Sequence, residues 1–208
     1  MIHPRLYPII DAGVLAARGV SIVQFARALR GAGVTLLQYR DKTGEAQAIL
    51  RNAEAISEVF AGVAATLIMN DRADLMLLAG WQGVHVGQSD MAPADMRIVV
   101  GDGRIIGVST HTDEQVRIAD ASRADYIAIG PVFATGTKPD AEATVGLEGV
   151  RRARALTSKP LVAIGGITRA NARSVIDAGA DSVAVISGLF GAGEPTEKVV
   201  EDFLALLR

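Results

Sequence analysis

The chain contains no cysteine among its 208 residues, which excludes disulfide bonds and thiolate metal sites. Only 4% of the residues are aromatic although 50% are hydrophobic, so the core must be built mainly from aliphatic side chains. No apolar run approaches the roughly 20 residues that a membrane-spanning helix needs, and the first residues lack the pattern of a signal peptide. The 21 basic and 23 acidic residues leave no excess of positive charge for a nucleic-acid surface. We therefore expect a soluble cytoplasmic protein that binds neither membranes nor nucleic acid.

Short apolar runs alternate with amphipathic stretches along the whole chain. Their near-continuous Val, Ile and Leu content indicates parallel strands covered on both faces. The first run lacks the Gly-rich loop that follows the first strand of an open dinucleotide-binding sheet, and the number of runs favours closure. The sequence therefore predicts an α/β protein, a single-domain (β/α)₈ TIM barrel over residues 1–208. The predicted strands are Leu6–Asp11, Thr35–Arg40, Thr66–Asn70, Gly83–Val86, Ile105–Thr110, Tyr126–Gly130, Pro160–Gly165 and Ser182–Ser187.

Several amphipathic segments are preceded by a hydroxyl side chain that is suited to cap a helix N-terminus. A Ser or Thr oxygen at this position accepts a hydrogen bond from one of the first backbone N–H groups of the helix. We expect this role for Ser21, Thr43, Thr112, Thr168 and Thr196.

Polar and charged residues gather where the predicted strands end, which in a barrel of this kind is the face that carries the active site. Gln38, Arg40 and Lys42 alternate along the second strand and should share one side of it. A guanidinium group with an ammonium group suits a polyphosphate. The alternative is that Arg40 and Lys42 are solvated residues at a strand exit.

Asp71 and Asp90 end the third and fourth strands, which are neighbours in a barrel. Two carboxylates from adjacent loops, close to phosphate-binding cations, suit Mg²⁺, which completes its shell with waters and phosphate oxygens. The alternative for Asp71 is that it caps a helix beginning at Arg72.

Glycines follow the last two strands, at Gly165-Gly166-Ile167 and Ile186-Ser187-Gly188. Barrels often bind a phosphate at these two loops through backbone N–H groups, which glycine lets approach closely. Ordinary turn formation is the alternative. The longest predicted loop, Pro131–Thr144, carries Thr135-Gly136-Thr137-Lys138 and is suited to close over both phosphate sites.

Three further residues are less telling. We expect His85 to pack or form hydrogen bonds inside the barrel, and Trp81 to pack. His111 should lie near the site, with a role that the sequence leaves open.

Taken in order, these motifs resemble those of the thiamine-phosphate synthase family. The resemblance runs from about Leu6 to Leu207, and the order of the motifs makes it specific although each motif is weak alone. Ser89 departs from the pattern, because relatives often carry Glu at this position. The matching motifs are Gln38–Lys42, Asn70–Arg72, Gly87–Met91, Ser109–His111, Gly130–Lys138, Gly165–Ile167 and Ile186–Ser187.

The resemblance implies a transferase that joins 4-amino-2-methyl-5-(diphosphooxymethyl)pyrimidine to a thiazole phosphate, giving thiamine phosphate and pyrophosphate. Carbon dioxide would also leave if the thiazole carries a carboxylate. One Mg²⁺ per subunit would be held by Asp71 and Asp90. The partners would be phosphorylated small molecules, and the protein a monomer or small homo-oligomer.

The resemblance also assigns the substrate contacts. The catalytic residues would be Arg40, Lys42, Ser109 and Lys138. The pyrimidine pyrophosphate would contact Gln38, Tyr39, Arg40, Asp41, Lys42, Asn70, Ser109 and Lys138, and the thiazole phosphate would contact Thr135, Gly136, Thr137, Gly166, Ile186 and Ser187.

Two rival functions are weighed against the synthase by the residues that the chain retains. A thiazole tautomerase of the same fold would have no use for Asp71, Asp90 and the basic residues, and would need a base where this chain has Pro131. A non-catalytic phosphate-binding barrel would be expected to have lost Asp71, Asp90 or Lys138, and the chain retains all three.

Overall fold

The computed structural model describes residues 4–136 and 143–208. Its strands are parallel and close into a barrel in chain order, with the first strand paired to both the second and the last. The predicted (β/α)₈ barrel is therefore confirmed. The strands are β1 (Leu6–Asp11), β2 (Leu36–Arg40), β3 (Thr66–Asn70), β4 (Gly83–Val86), β5 (Ile105–Thr110), β6 (Tyr126–Ile129), β7 (Leu161–Ile164) and β8 (Ser182–Val185).

Helices connect the strands and cover the outside of the barrel. A short 3₁₀ turn at Ser187–Leu189 follows β8. The α-helices are α1 (Ala12–Ala17), α2 (Ile22–Gly31), α3 (Ala46–Val59), α4 (Ala73–Leu78), α5 (Pro93–Val100), α6 (Asp113–Ala121), α7 (Gly146–Leu156), α8 (Ala172–Asp177) and α9 (Thr196–Leu206). None of the helices in the described part of the chain is long and apolar enough to cross a membrane.

Two of the predicted helix caps are confirmed. The side chain of Ser21 accepts a hydrogen bond from the backbone N–H of Gln24 at the start of α2. Thr112 forms a full capping box with Gln115 at the start of α6, in which each side chain bonds to the other's backbone N–H. The loops that precede α2 and α6 are short, so the local sequence pattern decides where each helix begins.

The other three predicted caps are wrong, because the chain turns elsewhere. Thr43 lies in a turn held by the carboxylate of Asp41, and α3 begins later, after Glu45. Thr168 precedes α8 by several residues and donates its backbone N–H to Asn171, which occupies the cap position. Thr196 is already the first residue of α9, whose cap position is occupied by Pro195.

The barrel holds two separate apolar cores. The larger one lies between the strands and the helices and is mainly aliphatic, as the composition requires. The smaller one fills the inside of the barrel and includes two tyrosines whose hydroxyl groups need hydrogen-bond partners. Its buried members are Tyr7, Ile9, Leu36, Ile68, Tyr126, Ala128, Val162 and Ala184.

Candidate active site

A polar cavity of about 330 Å³ opens at the carboxyl ends of β2 to β5. Directly beneath it, a smaller space continues into the barrel and shares Arg40, Asn70, His85 and Ser109 with it. The residues that line the upper cavity are Arg40, Lys42, Asn70, Asp71, His85, Gly87, Gln88, Ser89, Asp90, Ser109, His111 and Gln115. The structure therefore gathers most of the predicted diphosphate-side residues around one space.

The segment Gln38–Lys42, which includes the end of β2, divides between two faces. Gln38 and Arg40 point into the barrel, and Lys42 follows at the cavity rim, as the alternation predicted. Tyr39 points outward, where its ring packs edge-on against Trp81. Asp41 accepts the Tyr39 hydroxyl and the backbone N–H groups of the following turn. The side chains of Tyr39 and Asp41 thus shape the loop and do not line the cavity.

Arg40 is anchored by an acid on the neighbouring strand. Its Nη1 forms an ion pair with Oδ2 of Asp11, and the two side chains are only 15% and 5% exposed. The other carboxylate oxygen of Asp11 accepts the N–H of Val14 at 2.9 Å and caps α1. The view of Arg40 as a solvated residue is therefore wrong, whereas Lys42 remains half exposed. Sequence reasoning read no role for Asp11, although a carboxylate that ends a buried strand is an available signal.

Asp71 sits in an unusual backbone conformation that directs its carboxylate into the cavity. Its φ is +60°, in the left-handed region that Asp tolerates better than most residues. It does not cap α4, which begins after Arg72 without a side-chain cap. Its carboxylate instead accepts a bond from Nζ of Lys42 and lies within hydrogen-bonding reach of Asp90. Burial, together with the charge of Asp90, raises the pKa of Asp71, and Lys42 partly opposes this rise.

Asp90 is held by its own loop, because its Oδ2 accepts the backbone N–H of Gly87 at 2.7 Å. Within residues 4–136 and 143–208, no group of three or more acidic or histidine side chains could enclose a metal ion. Two adjacent carboxylates nevertheless suit Mg²⁺, which takes one or two carboxylates and otherwise binds waters and phosphate oxygens. The donor set of Asp71 and Asp90 therefore fits an ion that is completed by a phosphorylated ligand.

Asn70 carries a buried donor that the described protein leaves unused. Its Nδ2 has no hydrogen-bond partner, although the residue is almost fully enclosed beneath the cavity. A buried amide without a partner costs roughly 1–3 kcal/mol. A ligand acceptor placed at this point would recover that free energy.

A chain of hydrogen bonds crosses the inside of the barrel below the cavity. Gln38 Nε2 donates to the hydroxyl of Tyr7 at 3.1 Å, and the Tyr7 and Tyr126 hydroxyls are 3.0 Å apart. The Tyr126 hydroxyl is 2.8 Å from Nδ1 of His85, whose Nε2 is 2.9 Å from Oγ of Ser109. The expectation that His85 forms hydrogen bonds inside the barrel is confirmed. Sequence reasoning missed both tyrosines, because inward-facing aromatics look like ordinary core residues.

His111 lines the upper cavity. Its Nδ1 is 2.5 Å from the carbonyl oxygen of Gly130, so this nitrogen carries the proton and donates. Its backbone N–H is bound by the side chain of Gln115 at 2.7 Å. The bond from His111 to Gly130 therefore links the loop after β5 to the first residue of the loop after β6.

The loops after β6 and β7 are in direct contact. Backbone bonds join Val132 to Ile164 and Phe133 to Gly165. A Cβ atom on Gly166, whose φ is +63°, would lie 2.6 Å from the carbonyl oxygen of Ala134. Only glycine therefore allows this close approach.

The loop after β8 joins the same group, because a Cβ atom on Gly188 would lie 2.3 Å from the carbonyl oxygen of Ile167. Ile186 lines the inner space of the barrel, and Ser187 begins the 3₁₀ turn. Thr135 and Gly136 lie on the adjoining loop near its surface. Thr137 and Lys138, which were also predicted as site residues, lie outside the described residues.

Asn171 was missed by the sequence reasoning, and it braces the glycine turn after β7. Its Nδ2 donates to the carbonyl oxygen of Gly166 at 3.0 Å. Its Oδ1 accepts the N–H of Thr168 at 2.7 Å, so one side chain fixes both ends of the turn.

A closed parallel barrel with acids, bases and hydroxyl groups collected at the carboxyl ends of its strands defines an enzyme of the (β/α)₈-barrel class. The family model described as thiamine monophosphate synthase matches residues 6–189 of the chain. The chain belongs to this family and is accordingly a transferase of thiamine biosynthesis.

Individual relatives agree with this assignment. The chain is 51% identical to the thiamine-phosphate synthase of Koribacter versatilis over 98% of its own length and 96% of that protein. It is 42% identical to the thiamine-phosphate synthase of Chloroflexus aurantiacus, covering 92% of this chain and 88% of the relative. Among solved structures, it superimposes on the thiamine phosphate pyrophosphorylase of Pyrococcus furiosus with a TM-score of 0.87 at 29% identity, covering 98% and 96% of the two chains.

Proposed function

We propose that the chain condenses 4-amino-2-methyl-5-(diphosphooxymethyl)pyrimidine with a thiazole phosphate, giving thiamine phosphate and pyrophosphate. The observation that carries this proposal is the upper cavity, where Arg40, Lys42 and the Asp71–Asp90 pair surround a space of about 330 Å³. A tautomerase that acts on the thiazole alone would have no need for such a site.

The diphosphate would lie among Arg40, Lys42 and the two carboxylates. Lys42 forms an ion pair with Asp71, and in this proposal its ammonium group would lie where the leaving group develops charge. The unused amide of Asn70 and the hydroxyl of Ser109 lie deeper, where the pyrimidine ring would enter. Lys138, which the resemblance adds to this group, would complete it from the loop after β6.

Asp71 and Asp90 would hold one Mg²⁺ between them, because their carboxylates are adjacent and open to the cavity. When bound, the ion would supply neutralising charge to the departing diphosphate. The protein's own contribution is to keep both acids in place, through the left-handed backbone at Asp71 and the Gly87 N–H bond to Asp90.

The thiazole phosphate would bind at the three touching loops after β6, β7 and β8. These loops approach one another closely at Gly166 and Gly188, and backbone N–H groups of such glycine loops are suited to bind a phosphate. Thr135, Gly136, Ile186 and Ser187 would border the thiazole, with Thr137 from the same loop. Ile186 lines the inner space, so a thiazole beside it would face the pyrimidine.

The reaction then follows from the two binding sites. The C–O bond between the methylene carbon and the diphosphate breaks, and its electron pair leaves with the diphosphate. Electron release from the aminopyrimidine stabilises the methylene cation, and the lone pair of the thiazole nitrogen forms the new C–N bond. Arg40 and Lys42 stabilise the leaving anion, and the phosphate site aligns the nitrogen for attack. A carboxylated thiazole would also lose carbon dioxide. No protein nucleophile is required.

The direct test mixes purified protein with both substrates and Mg²⁺ and measures released pyrophosphate and thiamine phosphate. We expect both products in equal amounts, and no reaction after EDTA is added. A tautomerase or a binding protein would release no pyrophosphate, so that outcome would refute the proposal.

A further inference from the structure

The hydrogen-bonded chain below the cavity has a polarity that runs from one wall of the barrel to the other. Its ends are Gln38 and Ser109, both of which the family resemblance assigns to the pyrimidine diphosphate. Its middle members, Tyr7, Tyr126 and His85, are buried beneath them, and the proposed reaction gives them no role. Because the bonds are continuous and each buried phenol has one proton to donate, the direction of donation at one end of the chain determines the direction at the other end.

Only two proton arrangements satisfy every bond in this chain and also use the proton of each buried tyrosine, which would otherwise be left without an acceptor. Each tyrosine has one proton to donate, and a neutral histidine has one nitrogen that donates and one that accepts. If Gln38 gives a proton to Tyr7, then Tyr7 must give to Tyr126, and Tyr126 must give to Nδ1 of His85. His85 then donates from Nε2 to Ser109. In the opposite arrangement every bond reverses.

The structure orients Gln38 with Nε2 toward the Tyr7 hydroxyl, which selects the first arrangement. We propose that Tyr7, Tyr126 and His85 are positioning residues that fix Ser109 as a hydrogen-bond donor and Gln38 as an acceptor toward the substrate. The Ser109 hydroxyl, which accepts from His85, keeps its own proton for a ligand. Gln38, whose Nε2 is bound to Tyr7, presents Oε1.

The packing around Tyr126 keeps this arrangement in register. Gly107 lies between His85 and Tyr126 in the sheet, and a Cβ atom there would come within 1.9 Å of Cζ of Tyr126. The missing side chain leaves room for the Tyr126 ring, which stacks on His85 at 5.5 Å and meets Tyr7 edge-on. Burial raises the pKa of both tyrosines, so both phenols keep their protons at neutral pH.

This polarity suits one chemical class of ring. An aminopyrimidine offers an amino group that donates and a ring nitrogen that accepts, matching Gln38 as acceptor and Ser109 as donor. A 4-oxopyrimidine offers a carbonyl in place of the amino group, and one of its ring nitrogens carries a proton. We therefore expect the site to reject the oxo ring, since a mismatched buried polar pair is costly. This inference deepens the proposed function and rests on it.

The first experiment reads the arrangement in the ligand-free protein. ¹⁵N-labelled histidine spectra, recorded well above the ordinary histidine pKa of about 6.5, report which ring nitrogen carries the proton. The three histidines are assigned with His3→Gln and His111→Gln variants. We expect His85 as the Nε2–H tautomer, whereas an Nδ1–H tautomer would overturn the proposal.

Single-hydroxyl variants test whether the tyrosines enforce this choice. Tyr126→Phe removes the donor to Nδ1 and should give a mixture of both His85 tautomers. Tyr39→Phe removes a buried hydroxyl on the outer face of β2 and should leave the His85 signals unchanged. If Tyr126→Phe keeps a pure Nε2–H form, the tyrosine does not set the tautomer and its positioning role is refuted.

Binding of two ligands without turnover then tests the readout. Hydroxymethylpyrimidine monophosphates bearing either a 4-amino or a 4-oxo group are titrated into wild type and Tyr126→Phe by calorimetry. We expect a preference of at least about tenfold for the amino ring in wild type, and a clear loss of that preference in the variant. If wild type and Tyr126→Phe prefer the amino ring equally, the positioning role of Tyr126 is contradicted.

These measurements separate the two proposals. Failure to release pyrophosphate in the synthase assay would refute the function and leave the histidine tautomer unaffected. An Nδ1–H tautomer of His85, in a protein that makes thiamine phosphate, would refute only the positioning role of Tyr7, Tyr126 and His85.

Discussion

The pairing of Asp11 with Arg40 yields a quantitative prediction for the variant Asp11→Asn. Asparagine keeps an oxygen to accept the Val14 N–H, so the cap on α1 survives while the charge is lost. Arg40, only 15% exposed, would then be a buried cation without its partner. Removing one member of a buried pair costs about 3–5 kcal/mol, and the opening of Arg40 to the cavity argues for the lower end, about 3 kcal/mol. For a chain of this size that corresponds to a fall in Tm of about 6–12 °C.

Urea unfolding of wild type, Asp11→Asn, Arg40→Gln and the double variant measures this coupling directly. We expect an interaction free energy above about 2 kcal/mol, because the double variant leaves no unpaired charge. Asp11→Ala should lose about a further 1 kcal/mol through the missing cap. Pyrophosphate with Mg²⁺ should raise the Tm of Asp11→Asn more than that of wild type, because it gives Arg40 an anionic partner. A coupling below about 0.5 kcal/mol would show that the pair does not hold Arg40, and the reasoning would fail.

Three other predictions follow from the same structure. Gly107→Ala should destabilise the fold by about 1–3 kcal/mol through collision with Tyr126; an unchanged urea midpoint would contradict the packing. Asp71→Asn and Asp90→Asn should each raise the Mg²⁺ concentration needed for half-maximal pyrophosphate release, and Asn suits the left-handed backbone at position 71; an unaltered Mg²⁺ dependence would exclude that residue as a ligand. Tyr39→Phe should change kcat/KM less than threefold or so, because its hydroxyl lies outside the cavity; a much larger loss would place its side chain in contact with substrate.

The fold could be predicted because each strand carries its own signal. Runs such as Leu161-Val162-Ala163-Ile164 are apolar on both faces, as a sheet between a barrel interior and a ring of helices requires. The predicted ends were correct to within one or two residues. The helix starts were less predictable, because Asp41 and Asn171 take N–H groups in the preceding turns and move the start of the helix along the chain.

For the candidate site, residues could be predicted where local sequence was sufficient, but not where their role depends on contacts between distant segments. Which strand ends carry the polar residues follows from the sequence, so Arg40, Asp71 and Asp90 could be named in advance. Their partners could not, since Asp11 meets Arg40 only through the pairing of β1 with β2. Alternation along β2 could have shown that Tyr39 faces away from Gln38 and Arg40, yet the motif invited treating the segment as one unit.

The hydrogen-bonded chain from Gln38 to Ser109 depends on closure of the barrel, because it joins Tyr7 to Tyr126 across 119 positions of sequence. Neither tyrosine differs locally from a core residue, and only the inward face of a closed barrel brings the two hydroxyls together. The glycine at position 107, bland in the sequence, is what leaves space for them. A phenol buried in an otherwise aliphatic interior must bond to something. Inside this barrel, the hydroxyls of Tyr7 and Tyr126 bond to each other, to Gln38 and to His85, and His85 bonds to Ser109. The barrel core and the candidate site therefore share one hydrogen-bond network.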